Sequence, residues 1–156
     1  MAESAPLIEG CGAIRRDAHV FPVRVYYEDT DVAGIVYYAN YLKYAERART
    51  EFLRLLGFDQ SVLLDRHGVG FAVRRCEIDY RLPARLDDAL EVHSRMRELG
   101  GASLRAEQVV RRGERELVRL RVRLACMDRS GRPVRIPSAI YDRLKPYFPI
   151  PQPTSQ

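Results

Sequence analysis

The sequence predicts an α+β domain in which one long helix packs against an antiparallel sheet. Between residues 39 and 56, apolar side chains recur at intervals of three and four, the spacing of one buried helical stripe. After residue 70 the pattern changes to alternation with a period of two, which is typical of half-buried strands. The chain has 156 residues and no interdomain linker, so the simplest interpretation is a single domain.

The two ends of the chain lack a regular pattern. Residues 1–18 carry small and polar side chains without a period, and we expect a flexible N-terminal tail. A first strand is predicted over residues 19–28, and Pro22 indicates that it begins at a sheet edge. The domain should span residues 19–145, and the proline-rich residues 146–156 should form an irregular C-terminal tail.

The central helix is the strongest local signal in the chain. It is predicted from about Ala39, and Gly57 ends it as a glycine just beyond a helix does. A short second helix is expected within residues 58–67. The predicted buried stripe of the central helix consists of Tyr41, Leu42, Ala45, Ala48, Phe52, Leu55 and Leu56.

Four strands are predicted in the second half of the chain. In the first of them, residues 71–80, the apolar parity shifts between Val73 and Cys76, which predicts a β-bulge. The other three alternate around residues 90–96, 104–110 and 118–126, and tight glycine turns connect them. A short terminal helix is expected near residues 138–144. With the first strand, the sheet should have about five strands around one helix.

The composition narrows the classes of function. The net charge is +5, and arginine supplies nearly all of the positive charge because Lys43 and Lys145 are the only lysines. This bias reflects either a GC-rich genome or attraction of an anionic substrate or acidic partner. The arginines are spread over several segments without a recognition motif, so nucleic-acid binding is disfavoured.

Localisation follows from similar arguments. No apolar run approaches the ~20 residues of a membrane span, so no stable membrane insertion is expected. The first residues lack the pattern of a signal peptide. The three cysteines are too few and too scattered for a disulfide framework or a zinc site. A reducing cytoplasm is the expected compartment.

One polar turn precedes the central helix and carries the candidate chemistry. Asp29 and Asp31 flank Thr30, and Gly34 follows. A carboxylate is therefore placed beside a helix N-terminus, whose free N–H groups can hold an anion or a developing oxyanion. The alternative is that both aspartates only cap the turn or the helix, since Asp favours both positions. The pattern alone leaves the two interpretations open.

The segment YEDTDVAGIVYYANYLKYAERARTEFL, residues 27–53, resembles the motif region of hot-dog-fold acyl-CoA thioesterases of the 4-hydroxybenzoyl-CoA thioesterase type. The likeness is greatest to the Tol–Pal-associated subgroup. PARLDDALEV at 83–92 and RELGGASLRAEQVV at 97–110 resemble the same subgroup. The resemblance covers about residues 22–137 and implies a long central helix wrapped by a curved antiparallel sheet. It also implies hydrolysis of an acyl-CoA thioester to free acid and CoA, without a metal or organic cofactor.

The resemblance also assigns roles to single residues. Asp31 matches the catalytic aspartate, which acts as nucleophile or general base. Tyr38 matches the position whose backbone N–H polarises the thioester carbonyl, and Tyr27 matches a tyrosine associated with the site. Gly34 is a candidate substrate-binding residue of this loop, and glycine there is most simply explained by a positive φ or by a close approach of another group. The sequence departs from the subgroup at Tyr38, where histidine is common and other members of the wider family carry an aromatic residue. If the backbone N–H fills the role, the change is tolerated; if an imidazole takes part in catalysis, the change affects the rate or the acyl preference.

Binding of CoA is a further expectation. Arg74, Arg75, Arg81 and Arg85 lie on and just after the second predicted strand, residues 71–80, and Arg111 and Arg112 close the fourth. Some of these arginines are expected to bind the CoA phosphates, Arg74, Arg75 and Arg81 foremost, because arginine suits phosphate geometry. The alternative is a solvated arginine surface without such a role.

Two other functions compete with thioester hydrolysis. One is a hot-dog hydratase, but such enzymes rely on a catalytic histidine and none lies at the helix start. The other is a non-catalytic module that binds acyl thioesters or acyl carrier protein, which is also a possible partner of the enzyme. Because open sheet edges invite pairing, we expect at least a dimer, and a homotetramer as a dimer of dimers.

Overall fold

The computed structural model describes residues 10–150, which form one six-stranded antiparallel sheet and three α-helices. The strands are β1 (Ala13–Arg15), β2 (Ala18–Arg24), β3 (Val69–Tyr80), β4 (Ala89–Leu99), β5 (Ser103–Arg112) and β6 (Arg115–Asp128). Their spatial order is β1-β2-β4-β5-β6-β3, and the sheet is not closed. The helices are α1 (Asn40–Leu55), α2 (Gln60–His67) and α3 (Ser138–Leu144). The predicted α+β class is confirmed, with one strand more than expected.

The additional strand lies in the segment expected to be a tail. β1 pairs with β2 through Ala13↔Val20 and Arg15↔Ala18, so the described part of residues 1–18 contains ordered structure. Residues 1–9 lie outside the described part of the chain. The pairing of β1 with β2 ends at Val20. At Pro22, β2 therefore pairs with β4 on one side and has no described strand on the other. This agrees with the edge position predicted for this proline.

The C-terminal segment also begins with ordered structure. A single 3₁₀ turn covers Lys145–Tyr147, directly after α3. The Tyr147 ring packs edge-on against Phe52 of α1, with ring centroids 5.3 Å apart. The irregular tail predicted from residue 146 therefore starts later, and residues 151–156 lie outside the described part.

Helix α1 begins and ends where the sequence indicates. At its end the Gly57 N–H donates to the Arg54 carbonyl and the Phe58 N–H donates to the Leu53 carbonyl, the two bonds of a Schellman motif. Gly57 has φ +95°, which explains why glycine is needed there. The buried side chains of α1 are Asn40, Tyr41, Tyr44, Ala45, Ala48, Phe52 and Leu53.

The predicted stripe of α1 needs two corrections. Leu42 is 42% exposed and Leu55 is only half-buried, whereas Tyr44 and Leu53 are buried. The buried face follows positions 41, 44, 45, 48 and 52, so Leu42 lies beside the stripe rather than in it.

Strand β3 is an edge strand over its whole length among the described residues, because only β6 pairs with it. Its register shifts between Val73 and Arg75, which confirms the bulge predicted from the change in apolar parity. The apolar side chains of β3 pair with buried positions of β6 on both sides of the bulge. They are Phe71 and Val73 before it, and Cys76, Ile78 and Tyr80 after it. The inner face of this edge is consequently apolar but incompletely covered.

The outer sheet face is charged. Glu107 of β5 lies 3.0 Å from Arg97, 2.7 Å from Arg119 and 3.6 Å from Arg121. Such a network is satisfied in water, so this face does not need an apolar cover. The free edge of β3 is the feature that invites pairing.

Candidate active site

Asp31 lies at the base of a tight turn that connects a 3₁₀ turn, Tyr27–Asp29, to α1. The Asp31 N–H donates to the Ile35 carbonyl at 2.9 Å, and the Gly34 N–H donates to the Asp31 carbonyl at 3.0 Å. Gly34 has φ +77°, a conformation that closes this hairpin loop and favours glycine. Nothing lies within 4 Å of the position a Gly34 Cβ would occupy. The positive φ, and not a close approach of another group, is therefore the reason for glycine at this position.

The carboxylate of Asp31 is exposed and accepts one hydrogen bond among the described residues. Its Oδ1 accepts the Ala33 N–H at 2.9 Å, which orients the side chain within the turn. No cation pairs with it among residues 10–150. An oxygen of this carboxylate is accordingly available for chemistry with an external group.

Asp29 has the opposite environment. It is 5% exposed, and its two carboxylate oxygens accept the Tyr26 N–H at 2.8 Å and the Asn40 side-chain amide at 2.9 Å. Its carbonyl accepts the Tyr37 N–H at 2.8 Å. Asp29 thus joins the start of the turn to the start of α1, which is a supporting role. Burial raises the pKa of the neighbouring Tyr44 hydroxyl, and the Asp29 carboxylate acts in the same direction.

Asn40 is a site residue that the sequence reasoning missed. It is the first residue of α1, it is buried, and its side-chain amide reaches back eleven residues to Asp29. A polar side chain in the first turn of a helix indicates a hydrogen bond to a nearby group. The sequence around Asn40 does not show which group that is.

Tyr38 lies two residues before α1, and its position is fixed from the sheet. Its carbonyl accepts the Tyr80 hydroxyl at 3.0 Å, and the two rings meet edge-on with centroids 6.3 Å apart. Within the described residues, the Tyr38 N–H donates to no protein acceptor. The Tyr38 side chain is 61% exposed. A free backbone donor beside a helix start is a group that can stabilise an oxyanion.

Tyr27 contributes to the turn through its backbone. Its carbonyl accepts the Thr30 N–H at 3.1 Å and the Thr30 hydroxyl at 2.8 Å, while its side chain is 83% exposed. The structure thus places the three predicted catalytic residues on one connected segment, 27–38, with their side chains at the surface.

A second loop holds this segment in place. The Val36 N–H donates to the Ala84 carbonyl at 2.9 Å, and the Ala84 N–H donates to the Tyr41 hydroxyl at 3.0 Å. Ile35 forms an isolated bridge with Arg85. These contacts join the start of the 83–92 segment to the Asp31 turn and to α1.

None of the predicted arginines forms an ion pair with Asp31 among residues 10–150, although Arg85 bridges to Ile35 at the Asp31 turn. Arg75 pairs with Glu77 at 2.8 Å, Arg81 pairs with Glu116, and Arg74 is exposed. At about 3.3 Å per residue, Arg75 lies roughly 17 Å along β3 from Tyr80. Arg81 directly follows Tyr80 and is the nearest of the three along the chain to the Tyr38 contact.

The segment around Asp31 is open rather than enclosed in a single chain. Three concave regions stand out between residues 10 and 150, and Asp31, Tyr27 and Tyr38 line none of them. Val32 next to Asp31 is fully exposed. This part of the chain also holds no group of three His, Cys, Asp or Glu side chains arranged for a metal ion. None of its helices is long and apolar enough to cross a bilayer.

Comparison with known proteins gives a consistent result. Residues 25–144 match the thioesterase-like superfamily. The chain is 46% identical over 121 residues to the acyl-CoA thioesterase YbgC of Haemophilus influenzae, covering 77% of this chain and 89% of that protein. It is 41% identical over 127 residues to the acyl-CoA thioester hydrolase YbgC of Escherichia coli O6:H1, covering 80% and 94%. A crystal structure of a probable thioesterase from Bartonella henselae is similar with a TM-score of 0.74 at 40% identity, covering 77% and 99%.

Proposed function

This chain belongs to the thioesterase-like superfamily and is a thioester hydrolase, and from that premise we propose that Asp31 is its catalytic carboxylate. The family and the hot-dog fold predicted from the 27–53 segment are confirmed. The proposed reaction is hydrolysis of an acyl-CoA thioester to a carboxylic acid and CoA. The observation that carries the assignment is the contrast within the motif. Asp29 is buried with both oxygens bonded, whereas Asp31 is exposed on a hydrogen-bonded turn.

The proposed chemistry has two routes that use the same atoms. In one, an Asp31 oxygen attacks the thioester carbon and expels the CoA thiolate, and water then hydrolyses the mixed anhydride. In the other, Asp31 takes a proton from a water molecule that attacks the carbon directly. Both routes place negative charge on the former carbonyl oxygen. The unused Tyr38 N–H beside the start of α1 is the proposed donor to that oxygen.

The role proposed for position 38 belongs to the backbone. The Tyr38 carbonyl is held by Tyr80, which fixes the peptide plane next to the donor. A backbone donor is independent of the side chain, so tyrosine can stand where the related subgroup commonly has histidine. Gly34 contributes by closing the turn, and Tyr27 by holding Thr30 through its carbonyl.

Recognition of the CoA phosphates by Arg74, Arg75 and Arg81 remains a proposal supported by their charge and exposure. Arg75 and Arg81 already have carboxylate partners, and the pair of Arg75 with Glu77 is exposed and contributes little stability. A phosphate could therefore compete for them at small cost. Acyl carrier protein, being acidic, is an alternative thioester carrier for the same surface.

We also propose that the active unit is a homotetramer built as a dimer of dimers. The support is the free edge of the twelve-residue strand β3, with the exposed apolar side chains of Val73 and Tyr80 on that strand and of Val32 next to Asp31. A neighbouring subunit on this edge would enclose the open site. Light scattering should give a multiple of the 18.0 kDa chain mass, and an active 18 kDa monomer would contradict this.

The function is tested with a panel of acyl-CoAs of short aliphatic, long aliphatic and aromatic type, followed by detection of the released thiol. The expected result is thiol release with at least one class, which also identifies the acyl preference. A hydratase would alter enoyl thioesters without releasing thiol, and a binding module would retain ligand without turnover. Either of those results would contradict the proposal.

A further inference from the structure

A cavity of about 190 Å³ lies between the C-terminal half of α1 and the sheet, away from the Asp31 turn. Its interior is apolar, and its polar lining groups come from α1 and the start of α2. From Asn40 at the start of α1 to Arg49 on the cavity, nine residues rise about 14 Å along the helix. The apolar lining includes Phe52, Leu53, Met96, Leu104, Leu124 and Leu144.

Arg49 is the cation of this cavity. It is half-buried, and its Nη1 donates to the Gln108 side-chain oxygen at 2.9 Å. Gln108 is fully buried and fixed by its own amide, which donates to the Ala45 carbonyl and to the Ser94 hydroxyl, both at 2.9 Å. Arg49 is therefore held in place by a neutral buried group on the sheet.

No carboxylate lies within ion-pair distance of Arg49 in the part of the chain that the structure describes. Glu46, one helical turn earlier, also lines the cavity, but its carboxylate accepts the Thr50 hydroxyl at 2.8 Å. Burial lowers the pKa of the Arg49 guanidinium, which reports the cost of keeping this charge away from water. By contrast, Arg119 on the outer face pairs with both Glu107 and Glu116.

A guanidinium has five N–H donors, and that of Arg49 uses one of them on a described protein acceptor. The Glu46 carboxylate partly opposes the lowering of the Arg49 pKa by burial, but it forms no ion pair with the guanidinium among the described residues. A half-buried cation without such a direct partner is costly, and an anion in contact with it would offset that cost. The cavity directly beside the guanidinium is lined by aliphatic and aromatic side chains. A ligand that satisfies both features has an anionic head and an apolar tail.

We propose that this cavity binds a free medium-chain carboxylic acid, with its carboxylate on the Arg49 guanidinium and its alkyl chain among Phe52, Met96 and Leu104. A water molecule occupies about 30 Å³ in the liquid, and a methylene group is of similar size. The cavity volume of about 190 Å³ therefore accommodates about six methylene groups. Acids of roughly six to eight carbons therefore fit with the carboxylate at the cavity mouth. This site is independent of the assignment of Asp31, although an acid is also the product of thioester hydrolysis.

The test is isothermal titration of the full chain with sodium octanoate at pH 7.5, compared with 1-octanol. We expect saturable octanoate binding and roughly tenfold or weaker binding of octanol, because the alcohol lacks the charge-assisted bonds. Arg49→Met should weaken octanoate binding roughly tenfold or more, and Arg123→Met, an exposed arginine on the outer face, should leave it unchanged. Leu104→Phe, which fills the cavity and keeps Arg49, should also abolish binding.

The location is checked by NMR with methyl-labelled methionine, where octanoate should give contacts to the Met96 methyl group. Absence of saturable octanoate binding, equal binding of octanol, or unchanged affinity in Leu104→Phe would each overturn the proposal. These three measurements do not depend on the folding of the Arg49 variant. Intermolecular contacts confined to other methyl groups would likewise overturn it.

Discussion

Replacing Asp29 by asparagine tests whether the buried carboxylate holds the active-site turn. Its two oxygens accept the Tyr26 N–H at 2.8 Å and the Asn40 amide at 2.9 Å. Asparagine has nearly the same shape but offers one oxygen, so one of these two donors must face an N–H₂ group. Losing one hydrogen bond to a buried charged acceptor costs about 1.5–3 kcal/mol of unfolding free energy. For a domain of this size, that corresponds to a lowering of Tm by about 3–12 °C.

Urea unfolding followed by circular dichroism measures this loss, and thiol release per folded protein measures activity. The matched control is Asp79→Asn, since Asp79 is exposed and lies 3.8 Å from Arg121. That control should change the unfolding free energy by less than about 0.5 kcal/mol. Equal stabilities of the two variants would refute the structural role of Asp29. The Asp29 variant should retain more activity per folded molecule than an Asp31 variant.

Three further predictions follow from single observations. Gly34→Ala should lower the free energy of unfolding by about 1–2 kcal/mol, because φ is +77° and alanine is strained there. The control Gly70→Ala should lower it little, since Gly70 has open space around it and no positive φ. Equal urea midpoints of the two variants would contradict this. Burial lowers the pKa of His19, so the unfolded chain binds a proton near pH 6.5 that the folded chain does not, and stability should fall from pH 7.5 to 5.5. That slope should be smaller in His19→Gln, and an unchanged slope would count against the assignment. If Arg74, Arg75 and Arg81 hold the CoA phosphates, KM for acyl-CoA should rise with ionic strength while KM for the matching pantetheine thioester stays flat; equal salt dependence would remove these arginines from binding.

The helices and strands could be predicted from the sequence wherever a periodic pattern extends over many residues. The period of three and four over residues 39–56 and the alternation in the last three strands are each sustained enough to identify an element. The parity shift between Val73 and Cys76 also identified the bulge, because a bulge reverses the face of every later side chain.

Strand β1 was missed because it is three residues long and an arginine occupies the positive-φ position of its turn. The connection to β2 consists of Arg16 and Asp17, and Arg16 has φ +47°. Glycine or asparagine is the usual residue in such a conformation, and alternation cannot be recognised over three residues. The order in this segment comes from pairing with β2, which sequence patterns do not report.

The sequence indicated which residues belong to the candidate site, but not which contacts they make. Asp31 and Gly34 lie within one turn, so their relation is local. The Tyr38–Tyr80 hydrogen bond joins residues 42 positions apart, and the Asn40–Asp29 bond crosses from the helix to the turn. The same holds for Arg81, whose partner Glu116 lies on β6. Such pairs depend on how the elements pack, and a single sequence contains no record of it.

The most direct test of the account is the turnover number of Asp31→Asn with the best acyl-CoA of the panel. The substitution keeps the size of the side chain and its hydrogen bond to the Ala33 N–H, but removes the nucleophile and the base. Because the side chain is exposed and makes no ion pair among residues 10–150, folding should be largely kept. We predict that kcat falls by about 10²-fold or more while the unfolding midpoint stays near that of the wild type. A folded Asp31→Asn variant with near-wild-type kcat would contradict the assignment of Asp31 as the catalytic carboxylate.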